Sequence, residues 1–137
     1  MIGKHMDITA RRETLHPISN PGGGRDYVIT LRATIGRSRD ENNTIDIILR
    51  YVPDRMILQP ENFREYLDYI NSLEWKTLEA TAVAILDDIG NELVTRWAQV
   101  TLRHANNTQT AAEHDIIVED IQPGWRNDDL LYRLPPV

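Results

Sequence analysis

The hydrophobic pattern changes period twice along the chain, and this double change limits the fold more than any other feature. Tyr27 to Ile35 alternates, with Tyr27, Ile29, Leu31, Ala33 and Ile35 on one face. Thr30, Arg32 and Thr34, joined by Val28, lie on the other, as in a half-buried strand. Gly36 to Asn43 is polar and turn-rich. Thr44 to Val52 alternates again, with Ile45, Ile47, Leu49 and Tyr51 against Asp46, Ile48 and Arg50. Two strands around one polar loop predict an antiparallel hairpin. Then the period lengthens. Phe63, Tyr66, Leu67, Ile70 and Leu73 make one helical face over 60–73, with Pro60 suited to the first turn. Trp75, Leu78, Ala82, Ile85, Leu86, Ile89 and Leu93 predict a second helix over 75–93. Period two returns at Arg96 to Arg103 and at His114 to Ile121, separated by a polar loop from Ala105 to Glu113.

The order strand, strand, helix, helix, strand, strand predicts an α+β domain, an antiparallel four-stranded sheet with both helices on one face. The 137 residues fit one domain, which spans 26–121. Residues 1–25 read as irregular, punctuated by Pro17, Pro21 and Gly22-Gly23-Gly24. Residues 1–6, with a second Met after His5, read as a vector-derived leader without function. Residues 122–137 form a tail carrying Trp125, Leu130, Leu131, Tyr132 and Leu134, not helical in period and closed by Pro135-Pro136. Such a tail packs on its own body or on a neighbouring subunit, and the neighbour is preferred.

Composition removes several functions. Fifteen Lys and Arg against 21 Asp and Glu leave a net charge of −6, which argues against nucleic acid or a membrane surface as partner. With no cysteine, the chain has no thiolate nucleophile, iron–sulfur cluster or sulfur-ligated zinc. No apolar run approaches the ~18 residues of a membrane span, and no signal-peptide pattern opens the chain, so a cytoplasmic location is the default. His104 and His114 can approach across the last hairpin, near Glu113 and Asp115, but loop histidines are preferred to a metal site and no metal is expected. Gly22-Gly23-Gly24-Arg25 leads into a strand, so it reads as a linker rather than a phosphate cradle. Asp87-Asp88 and Glu119-Asp120 read as solvated charge rather than acid–base pairs. The sheet face away from the helices carries Thr30, Arg32, Thr34, Asp46, Arg50, Gln99, Thr101 and Arg103. It is either a solvated surface or the polar lumen of a barrel made by several sheets joined edge to edge.

Several strings resemble the tunnelling-fold superfamily, and within it the 7-cyano-7-deazaguanine (preQ0) nitrile reductases of queuosine biosynthesis. They are Asn20-Pro21 followed by Arg25-Asp26-Tyr27-Val28-Ile29, Ile47 to Arg50 followed by the corner Tyr51-Val52-Pro53-Asp54, Phe63 to Leu67, and Ile85-Leu86-Asp87-Asp88. The resemblance covers roughly residues 20–104. It implies ββααββ subunits that close into an oligomeric barrel and hold a purine-, pterin- or 7-deazaguanine-type ring between subunits. It also implies a helix glutamate that accepts hydrogen bonds from the ring, and here that position falls on Glu79. At ~100° per residue over 75–93, Glu79 lies about 20° from Leu86 and about 40° from Trp75, inside the apolar stripe.

The chain departs from that family where the chemistry lies. The family's thioimide-forming cysteine is missing, so nitrile reduction by that route is closed. The Glu-Ser-Lys motif tied to the nicotinamide cofactor falls on Gln59 to Arg64 without its glutamate or lysine, and the His-Glu pair falls on Leu78-Glu79. No cofactor is expected, and NADPH belongs here only if the resemblance extends to activity. Three classes remain open: a heterocycle-binding protein or cysteine-free enzyme, a non-catalytic structural or partner subunit derived from the reductases, and an unrelated α+β module. The resemblance favours the first, as a homo-oligomer.

Overall fold

The computed structural model describes residues 4–36, 43–104 and 112–137. Its elements are α1 (Lys4–Glu13), β1 (Ile18–Ser19), β2 (Ile29–Gly36), β3 (Thr44–Val52), β4 (Met56–Ile57), α2 (Pro60–Ser72), α3 (Leu78–Leu93), β5 (Trp97–His104), β6 (His114–Ile121) and α4 (Asp128–Tyr132). The main sheet is antiparallel throughout, in the order β2-β3-β5-β6. Register pairs Leu31 with Leu49, Leu49 with Val100 and Val100 with Val118, so one face is apolar across all four strands. The strands therefore follow the alternation in the sequence. The expected loops over 36–43 and 105–113 fall mostly on residues 37–42 and 105–111, outside the described residues.

Both long helices pack on that apolar face. Ile45, Ile47, Leu49, Tyr51, Ala98, Val100 and Leu102 meet Phe63, Tyr66, Leu67 and Ile70 of α2 and Leu78, Ala82, Ile85, Ile89 and Leu93 of α3. The Tyr51 hydroxyl is sealed inside and accepts the Leu58 backbone N–H at 2.8 Å, and burial pushes its pKa up to about 12. Pro60 opens α2 as expected. α3 starts at Leu78 rather than at 75, because the Thr77 hydroxyl accepts the Ala80 N–H at 3.0 Å and caps the helix there. Among the described residues, no helix is long and apolar enough to cross a membrane.

Two expectations fail. The segment 1–25 is not irregular: α1 occupies residues 4–13, and β1 pairs with β4 in a separate small sheet. The tail 122–137 contains the short helix α4, capped by Asn127, whose side chain accepts the Leu130 N–H. Both helices lack an apolar stripe and are placed by polar contacts. Trp125 and Asn127 donate to Asp26 at 3.2 and 3.0 Å, which ties the start of the tail to the body of its own chain.

α1 is held by a buried charge. Asp88 on α3 is fully buried, against the expectation that Asp87-Asp88 is solvated. Arg11 donates to it through Nε at 2.6 Å and Nη2 at 3.2 Å, Arg12 through Nε at 2.6 Å, and the Tyr66 hydroxyl at 2.5 Å. Burial first, then the neighbouring carboxylate, raises the Tyr66 pKa well above the usual phenol range, so its hydroxyl keeps its proton and donates. Removing the carboxylate leaves buried guanidinium groups uncompensated. We expect Asp88→Ala to lose about 3–5 kcal/mol in urea denaturation. The exposed Asp87→Ala should stay within about 0.5 kcal/mol of wild type.

Candidate functional site

Glu79 sits in the first turn of α3, on its exposed flank rather than in the apolar stripe. Trp75 precedes the helix, so the buried stripe centres on Leu78, Ile85 and Ile89, and Glu79 lies about 100° from Leu78. Its side chain is 60% exposed and its Oε2 lies 3.1 Å from Nε2 of His114. The carboxyl is held below its usual pKa, first by its own backbone N–H at the helix start and then by His114, with desolvation opposing. Glu79 is therefore ionised at neutral pH.

His114 opens β6 opposite His104, which closes β5 and whose Nε2 meets Asn43 Oδ1 at 2.5 Å. Glu79, His114, His104 and Asn43 thus gather at one end of the sheet, where β3 begins. Among the described residues, no three His, Asp or Glu side chains converge as metal ligands. A separate groove of about 310 Å³ lies between the end of α2, the start of α3 and the end of β2, lined by Ile35, Ile70, Leu73, Glu74, Trp75 and Thr81. Glu79 points elsewhere.

Two of the strings that carry the family resemblance, 20–29 and 47–54, meet at one corner of the fold. Asn20 donates to the Asp54 carbonyl at 2.8 Å, while its Oδ1 accepts from the Gly22 N–H at 2.8 Å and the Tyr27 hydroxyl at 2.5 Å. A Cβ on Gly22 would come within 2.5 Å of the Tyr27 ring, so the close approach requires glycine. Arg96 joins Asp26 at 2.9 Å and Asp54 at 3.3 Å. Gly22 is thus part of a packed corner, while Gly23 to Arg25 are exposed. At the segment matching the cofactor motif, Gln59 makes no side-chain cap, and Arg64 is engaged by Asp68 at 2.6 Å and by the Thr34 carbonyl at 2.9 Å.

The tail covers part of the helix-free face. Arg50 is only 8% exposed: Nε and Nη2 donate to Gln99 Oε1 at 3.0 and 2.6 Å, and Nη1 donates to the Pro135 carbonyl at 2.7 Å. Arg103 donates to the Val137 carbonyl. The tail thus crosses the face between Arg50 and Arg103. The alternation of β3 and β5 placed both arginines on this face, but period alone carried no signal for what covers them.

No protein-family model matches the chain. Two proteins described as NADPH-dependent 7-cyano-7-deazaguanine reductase, from two strains of Acidithiobacillus ferrooxidans, are each 26% identical over 127 residues, 90% of this chain and 88% of theirs. Among solved structures, the apo archaeosine synthase QueF-Like superposes with a TM-score of 0.53 at 17% identity, over 67% of this chain and 91% of that one. The fold is a tunnelling-type α+β fold related to that of these proteins.

The Glu79–His114 contact has a measurable signature. In a carbon-detected NMR titration, the Glu79 carboxyl should titrate below the ordinary glutamate range. Since the backbone N–H is the larger cause, His114→Gln should raise that pKa only part of the way back. A depressed carboxyl pKa stabilises the fold above the unfolded value and loses that contribution as pH falls through the folded value. The effect of His114→Gln on stability should accordingly fade in acid.

Proposed function

We propose that this chain binds a purine-, pterin- or 7-deazaguanine-type heterocycle at an interface between copies of itself, with Glu79 as the anchor. The likeness to the 7-cyano-7-deazaguanine reductases supports a 7-deazaguanine-related role. The observation that carries the anchor is the state of Glu79: an ionised, exposed carboxylate at the position the resemblance assigns to the ring-binding glutamate, contacted by a histidine and by no arginine among the described residues. Its two oxygens can accept N–H bonds from a ring amide and an exocyclic amine side by side. As proposed, the site is completed by a second copy, which is what the resemblance implies for a ring held between subunits.

The reductive chemistry of the relatives does not carry over through a thioimide, since no cysteine is present to form it. The residues at the cofactor-motif position do not supply a lysine, and the nearby Arg64 is already engaged, so no step is assigned to NADPH. A second reading, a non-catalytic structural or partner subunit, is favoured by the tail lying across the helix-free face.

Calorimetric titration with guanine, deazaguanine and pterin compounds tests the anchor, and sedimentation of the same sample tests assembly. We expect binding by wild type and a loss of roughly 10–150-fold in Glu79→Gln, the equivalent of ~1.5–3 kcal/mol for a charge-assisted bond. Equal binding by both proteins would remove Glu79 from the site. An assembled protein that binds none of the panel would favour the structural subunit. A single ~16 kDa species at micromolar concentration would defeat the interface.

A further inference from the structure

The groove of about 310 Å³ at the junction of α2 and α3 is built by one chain, and Glu79 does not line it. Its floor is apolar: Ile35 from β2, and Ile70 and Leu73 from the end of α2. Trp75 supplies a wall, and that wall is fixed. The indole Nε1 donates to the Ile70 carbonyl at 2.9 Å, and the same carbonyl takes the Leu73 backbone N–H at 3.2 Å. The Arg11 guanidinium lies 5.6 Å from the ring centroid and is itself held on the buried Asp88. A ring tethered at its edge and covered by an anchored cation is not free to swing inward and fill the space beside it.

The hydrogen-bonding capacity around the groove is one-sided. The Trp75 N–H is spent on Ile70. Thr81 is 1% exposed and donates its hydroxyl proton to the Thr77 carbonyl at 3.3 Å, so its oxygen is left as an acceptor. Glu74 is exposed, accepts only, and enters no ion pair among the described residues. The Asn71 amide is the one lining side chain that keeps N–H donors to offer. Two further cations lie close in the chain or in space. Lys76 follows Trp75 but does not line the groove, and Arg64 is engaged by Asp68 and by the Thr34 carbonyl.

Acceptors above an apolar floor select a ligand of the opposite pattern, flat and apolar in body with N–H donors along one edge. Amidinium and guanidinium groups match that edge, because their parallel N–H bonds meet a carboxylate two at a time. We propose that this groove is a binding site for a small aromatic cation, an amidinium- or guanidinium-bearing ring held by Glu74 and packed against Trp75 and Leu73. The pinned indole means that little ordering remains to be done when the ligand arrives. This site is separate from Glu79 and does not rest on the heterocycle reading.

The test is titration of the full chain with benzamidine at fixed ionic strength, followed by the Trp75 indole N–H in two-dimensional NMR, with neutral benzamide as the comparison. We expect a saturable shift with a Kd of about 0.1–1 mM, the range open to so small a ligand. Glu74→Gln should bind benzamidine about tenfold more weakly, and benzamide should bind wild type about tenfold more weakly than benzamidine does. Glu74 is exposed, so its variant leaves the core intact. Asp87→Asn, which removes an exposed carboxylate elsewhere on α3, should bind as wild type does. No saturable shift of the Trp75 resonance by about 10 mM benzamidine would overturn the proposal. So would equal binding by Glu74→Gln, equal binding of benzamide, or a matching loss in Asp87→Asn.

Discussion

A single carboxylate, Asp88, sets the position of three helices. It projects from α3, accepts a hydrogen bond from a phenol of α2 and receives guanidinium groups from two successive residues of α1. Charges buried this deeply are tolerable only when every oxygen is engaged, and here both are. The geometry is selective as well as stabilising. α1 carries little apolar surface of its own, so its place is specified by where two arginines can reach one aspartate. Arg11 also lies 5.6 Å from the Trp75 ring centroid, which ties the connection between α2 and α3 to the same centre.

The sheet and the two long helices were legible because burial on one face writes its period directly into the sequence. β3 and β6 begin and end where the alternation does, and α2 closes one residue before its stripe. What escaped is whatever is held by polar groups. α1 has no stripe to detect, and Asp88 is indistinguishable from Asp87 until the helix phase is known. Phase also misplaced Glu79. Counting Trp75 as helical shifted the stripe towards Glu79, whereas the buried side of α3 runs through Leu78, Ala82, Ile85 and Ile89 and leaves that carboxylate on the exposed flank. The candidate site was legible as a residue through resemblance, but its exposure and its contact with His114 depended on strand register.

Two of the strings that resemble the reductases, 20–29 and 47–54, turn out to be joints. Asn20, Tyr27, Asp26 and Asp54 bind one another or Arg96, and they fix how the chain enters β2 and leaves β3. Such groups are costly to change one at a time, because each removal strands its partners. Likeness in these strings therefore reports the fold. The positions to which the resemblance assigns reductive chemistry are ones where this chain differs.

The order of the sheet leaves β2 and β6 as its two free edges, and these edges are chemically unlike. On the helix-free face, β2 carries Thr30, Arg32 and Thr34, while β6 carries Asp115 and Glu119. Two β6 edges brought together would set acidic rows against each other, whereas β6 against β2 would bring those carboxylates towards Arg32. Open edges invite indiscriminate pairing, the usual route from a sheet to an aggregate. In this chain the β6 edge carries two carboxylates and the β2 edge one guanidinium, so charge disfavours a β6 edge lying against a second β6.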